Sequence, residues 1–125
     1  MKKLFLIEDD RELCKMYSNK FSHDGWEVAI CHDGSQAVSL AKVGQFDMIV
    51  LDLMLPGLSG IDILEMLRSD RKTALTPIIV YTNYGDVYNR EKCLTYGADE
   101  FVLKVDSTPQ SLTKTIERVY EAKNG

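Results

Sequence analysis

Residues 48–51 read MIVL, four apolar side chains in succession between Asp47 and Asp52. A strand with one face in water alternates polar and apolar positions. One that is apolar throughout has both faces buried, the situation of a central strand in a parallel sheet covered by helices on either side. Similar short apolar runs recur along the chain, each followed by a longer amphipathic stretch, and that alternation predicts an α/β domain with a parallel sheet. The expected strands are Leu4–Ile7, Glu27–Cys31, Met48–Leu51, Ile78–Tyr81 and Phe101–Leu103, with five helices between and after them.

The first helix follows Asp10 and carries Leu13, Cys14, Tyr17 and Phe21 within one third of the helical wheel, stopping near Gly25. The second runs from about Ser35 to Val43, with Asp33 as N-cap and Gly44 ending it. The third starts around Ser59 and turns Leu64 and Leu67 inward. The fourth starts near Asp86 and ends at Gly97. Ser107-Thr108-Pro109 opens the last, a hydroxyl cap followed by proline in the first turn, with Leu112, Ile116 and Val119 spaced as a core stripe. Tyr17, Tyr88, Tyr96 and Tyr120 fit packing positions on these helices, and Trp26 a structural place before the second strand.

At 125 residues with no shift in composition, one domain is expected, large enough to bury a core without staples. A net charge of −4 gives no support for a nucleic-acid partner. Cys14, Cys31 and Cys93 are odd in number and widely spaced, which disfavours a disulfide framework or zinc site and fits a reducing cytoplasm. The apolar run in MKKLFLIEDD is too short for a signal peptide or a membrane span. His23 and His32 have no metal-ligand partners nearby in sequence.

In an open parallel sheet, ligands bind outside the carboxyl ends of the strands. The residues expected there are Glu8-Asp9-Asp10, Asp52, Thr82 and Lys104. With the first and third strands adjacent, Glu8, Asp9 and Asp52 converge, and like charges so placed require compensation. Oxygen ligands suit Mg²⁺, with Asp9 and Asp52 as direct ligands and Glu8 acting through water. An aspartate can also attack a phosphoryl group to give an acyl phosphate, and the charge on the transferred oxygens then needs a cation and a hydroxyl. Lys104 and Thr82 supply them. A bland alternative exists for each residue alone: Asp10 and Asp33 are read as helix caps, Lys104 could be a solvated charge and Thr82 a strand residue.

The strings KKLFLIEDD, IVLDLMLPGLSG, PIIVYTN and GADEFVLK, in that order, resemble the CheY-like response-regulator receiver family of two-component signalling across essentially the whole chain. The resemblance implies a flavodoxin-like, doubly wound five-stranded sheet of order 2-1-3-4-5 with five helices. It implies a switch phosphorylated on Asp52 by a histidine kinase or phosphotransfer protein in a Mg²⁺-dependent reaction, turning over no external metabolite. Glu8 and Asp9 match the metal-binding acids, and the backbone carbonyl of Met54 the third protein ligand. Thr82 and Phe101 match the switch pair, Lys104 the lysine that pairs with phosphate, and Pro56-Gly57 the turn after the acceptor. Output through protein contact at the face of the fourth helix, fifth strand and fifth helix would follow. Residues 1–125 are expected to be a single receiver domain without an effector domain, cytoplasmic, with neither nucleic-acid nor membrane partners.

Three positions depart from the family pattern. Val105 replaces the proline usual after the lysine, and since a cis bond to a non-proline costs ~2.5–4 kcal/mol, a trans Lys104–Val105 peptide is expected. Asn83 stands where a small residue is common and is expected to narrow access to Asp52. Phe101 lacks the hydroxyl of the usual tyrosine. Competing functions fit less well. A haloacid-dehalogenase-like phosphatase would need D-x-D after the first strand, and an FMN carrier a hydroxyl- and glycine-rich phosphate loop there. A scaffold that does not signal by phosphorylation would not need the intact acid, Thr and Lys set.

Overall fold

The structure is a computed structural model describing residues 1–85 and 87–124. Five strands, β1 (Lys3–Ile7), β2 (Glu27–Cys31), β3 (Met48–Leu51), β4 (Ile78–Thr82) and β5 (Glu100–Leu103), form one sheet in the order β2-β1-β3-β4-β5. All four pairings are parallel. The helices are α1 (Arg11–His23), α2 (Gly34–Gly44), α3 (Gly60–Ser69), α4 (Val87–Thr95) and α5 (Pro109–Asn124). This is the α/β architecture expected from the sequence, with strand limits within one residue of those anticipated.

Strand alternation divides the core in two. Phe5, Ile7, Ile49, Leu51, Ile78 and Val80 pack toward α2, α3 and α4, meeting Ala37, Ala41, Ile63, Leu64, Leu67 and Cys93. Leu4, Leu6, Met48, Val50 and Ile79 face the other way, toward Cys14, Tyr17 and Phe21 of α1 and Leu112, Ile116 and Val119 of α5. Every residue of β3 is buried, as its unbroken apolar run requires.

Capping chemistry fixes where several helices begin. Asp10 accepts from the backbone N–H groups of Glu12 and Leu13, and Asp33 from that of Ser35. Thr108 Oγ1 accepts from the Ser111 N–H while Ser111 Oγ accepts from the Thr108 N–H, a reciprocal pair at the start of α5.

α2 ends at Gly44 as expected, but the left-handed cap falls one residue later. Gly44 is its last helical residue, and Gln45 takes the left-handed conformation at φ 52°. Glycine is needed at 44 for space, because a Cβ there would lie 2.3 Å from the Phe46 ring. That ring stacks on Phe5 with centroids 4.5 Å apart. Tyr88 also departs from its expected packing role: 67% exposed, it stands off the surface of α4. Tyr17 is buried, and Trp26 and Tyr120 meet edge to face. Asp86, the expected start of the fourth helix, lies outside the described residues. Among the described residues no peptide is cis, so Lys104–Val105 is trans as expected, and no helix is long and apolar enough to cross a membrane.

Candidate functional site

Register brings the site together. Ile7 pairs with Leu51 and Leu51 with Val80, so the residues following β1 and β3 and the last residue of β4 emerge side by side. The Asp52 N–H donates to the Ile7 carbonyl at 3.0 Å, and the Glu8 N–H to the Cys31 carbonyl at 2.9 Å, which fixes both acids at the sheet rim. Beyond Asp52 the chain turns at Pro56-Gly57, where Gly57 has φ +82°, a conformation that favours glycine.

Asp52 is the hub. Thr82 Oγ1 donates to its Oδ1 at 2.6 Å, the Met54 N–H donates to the same oxygen at 3.2 Å, and Lys104 Nζ donates to Oδ2 at 2.9 Å. Lys104 Nζ also donates to Glu8 Oε1 at 2.5 Å, so one ammonium bridges two buried carboxylates. Thr82 is wholly buried, and its oxygen accepts from the Tyr84 N–H at 3.0 Å. Lys104 opens a short 3₁₀ turn, Lys104–Asp106, directly after β5.

Burial raises the Glu8 carboxyl to about 7. The hydrogen bond from Lys104 opposes that rise and the nearby Asp52 charge adds to it. For Lys104, burial alone would lower the ammonium, but hydrogen bonds to Glu8 and Asp52 outweigh it and leave its pKa above the ordinary value. Ligand oxygens of Glu8, Asp9 and Asp52 lie within 4.8 Å of one another. The fit to a hard divalent cation rests on that oxygen-only donor set together with an excess of carboxylates that one lysine does not neutralise. Glu8, Asp9 and Asp52 are the side chains that could hold Mg²⁺.

Residues 4–117 match the response regulator receiver domain family. The chain belongs to that family. A receiver is a phosphorylation-activated switch of two-component signalling, a role in which no external metabolite is turned over. Among curated relatives, the response regulator ArlR of Staphylococcus saprophyticus is 36% identical over 104 residues, 83% of this chain and 46% of that protein. The chain thus spans about half the length of the curated relatives it matches. A CheY-like receiver domain protein from Methanospirillum hungatei has TM-score 0.92 at 22% identity, covering 99% of this chain and 97% of that one. The receiver domain of a Pseudomonas aeruginosa sensor histidine kinase, solved with magnesium coordinated in its active-site cleft, has TM-score 0.86 at 26% identity, covering 96% and 98%.

All five polar residues anticipated for the receiver site, Glu8, Asp9, Asp52, Thr82 and Lys104, meet at this rim. Met54 reaches it through its backbone, while its side chain is exposed. Phe101 stands apart, half-buried against the core, lining a depression of about 510 Å³ with Gly85, Val87 and Arg90. Two neighbours carried no signal in the sequence. Cys14 Sγ lies 3.3 Å and His32 Nδ1 2.9 Å from the Glu8 carbonyl oxygen, so both brace the backbone that carries the acidic pair. Burial pushes the Cys14 thiol up to about 12, which keeps it a weak donor rather than a thiolate.

Proposed function

We propose that Asp52 is the phosphate acceptor of this receiver, with Thr82 and Lys104 completing the reacting group and Glu8, Asp9, Asp52 and the Met54 carbonyl holding Mg²⁺. One observation carries the assignment: a buried aspartate contacts both a hydroxyl and an ammonium while sharing its rim with two further acids. One Asp52 carboxylate oxygen attacks phosphorus, the bond from phosphorus to the donor's leaving atom breaks, and the donor departs with that electron pair. When bound, Mg²⁺ would supply charge neutralisation for the incoming phosphoryl oxygens. Lys104 is placed to leave Glu8 and pair with a phosphoryl oxygen. Thr82 is placed to turn its hydroxyl from Asp52 to another such oxygen.

In this reading a histidine kinase or phosphotransfer protein supplies the phosphoryl group in the cytoplasm, and the receiver catalyses its own phosphorylation and dephosphorylation. Phe101 senses the Thr82 movement, and the α4-β5-α5 face engages a downstream protein. Exposed Val87 and Tyr88, near the Phe101 depression, support that face. Incubation with acetyl phosphate and Mg²⁺ followed by intact-mass measurement is the test. Wild type gains one phosphoryl group and Asp52→Asn gains none; equal labelling of the two would remove the assignment, and EDTA abolishes the gain.

A further inference from the structure

The two departures from the family pattern nearest the site touch each other. The Val105 N–H donates to Asn83 Oδ1 at 3.1 Å. A proline at 105 would have no N–H to give, so this contact exists only because the proline is absent. The β4–β5 ladder ends at the pair Thr82↔Leu103. Asn83 and Val105 join the two chains just beyond it, where a side-chain carbonyl takes over from the backbone. The contact also closes a ring. Asp52 meets Thr82 and Asn83 follows Thr82; Asn83 meets Val105, Lys104 precedes Val105, and Lys104 returns to Asp52.

Resting on the assignment of Asp52 as acceptor, we infer that Asn83 is a positioning residue for Lys104: by holding the Val105 amide it keeps the lysine ammonium over Asp52. Proline would stiffen that loop through its own ring. Valine leaves the backbone free to turn, and the Asn83 amide supplies the constraint from the neighbouring strand. The Asn83 carbonyl, at a position expected to narrow access to Asp52, is thus also engaged with the loop after β5. Both residues are solvent-exposed, so substitution at either leaves the core untouched.

The test uses the full chain in two measurements. Hydrogen exchange at the Val105 amide without Mg²⁺ reads the contact directly, and Asn83→Ala accelerates it. The phosphorylation rate at saturating acetyl phosphate and Mg²⁺ reads the consequence. Asn83→Ala lowers it roughly two- to tenfold, the range for losing one hydrogen bond of ordinary strength. Val105→Pro removes the same bond from its other end, so Asn83→Ala has no further effect in that background. In a Lys104→Ala background, which does not depend on Val105→Pro folding, Asn83→Ala is again without effect, because the lysine it positions is gone. A faster or unchanged rate in Asn83→Ala overturns the inference, as does slowing that persists without Lys104. Wild type that takes up no phosphoryl group overturns the Asp52 assignment along with it, a result distinct from all of these.

Discussion

Replacing Glu8 by Gln tests the electrostatics of the rim through stability, with no phosphodonor present. Burial lifts the folded-state pKa of Glu8 from the ordinary 4.5 to about 7. Because the folded value is the higher, the protonated acid favours folding: that stability is complete below pH 4.5 and is lost as pH rises through 7. A gap of roughly 2.5 units at 1.36 kcal/mol each amounts to about 3 kcal/mol lost by pH 8. Glutamine does not titrate and keeps nearly the same volume. It also accepts a weaker hydrogen bond from the Lys104 ammonium, which shifts the variant's stability by an amount that does not itself follow the Glu8 titration. Urea unfolding in EDTA at a series of pH values between 4 and 8, followed by circular dichroism, should show wild type losing about 3 kcal/mol relative to Glu8→Gln. Adding Mg²⁺ at pH 8 should then stabilise wild type more than the variant, since binding to the folded state adds RT ln(1 + [L]/Kd). A wild-type-minus-variant difference that stays flat with pH would mean that Glu8 is not held in a desolvated, acid-rich setting.

Lys104→Met should leave two buried carboxylates without their cation, lowering the metal-free unfolding midpoint at pH 8 by more than it lowers the midpoint in Mg²⁺; equal losses would argue against the bridge. The same variant, once phosphorylated, should fail to change its binding to a partner, as a partner titration would reveal. Met54 and Tyr84 are 58% and 50% exposed, and their backbone N–H groups donate to Asp52 Oδ1 and Thr82 Oγ1, so both side chains are expected to cover an Asp52 phosphate. The double variant Met54→Asn with Tyr84→Glu should therefore lose phosphate faster than a long-lived wild-type phosphoform, and an unchanged decay would rule out shielding by these side chains. Amide shifts on phosphorylation should centre on α4, β5 and α5, whereas shifts confined to α2 would place the output elsewhere.

The sheet was legible because burial on two faces leaves its mark on every position of β3, and the site because acids at strand ends interrupt apolar runs. Asp52 after MIVL is of this kind, and Lys104 after FVL is its cationic counterpart. What escaped detection depends on separations that sequence does not encode. That one lysine spans Glu8 and Asp52 follows from where β1, β3 and β5 end relative to one another in the twisted sheet. His32 and Cys14 reach the Glu8 carbonyl from the loop after β2 and from α1, through contacts with no motif. Gly44 looked like a helix terminator because glycine so often is one, yet here it makes room for Phe46. Asn83 and Val105 each stood out singly, and only the structure pairs them.

The strand order has a mechanical consequence. β1 and β3 each hold two neighbours, whereas β5 sits at the margin and holds only β4. A marginal strand unzips at lower free energy than an inner one, since a single ladder has to part. Glu8, Asp9 and Asp52 follow inner strands and Lys104 follows the marginal one. The acids thus follow strands held by two ladders while their lysine follows a strand held by one. An ammonium drawn toward a new anion can carry β5 with it without disturbing the acids it leaves behind. Hydrogen exchange should register that gradient as faster opening of the β5 amides than of those in β1 and β3.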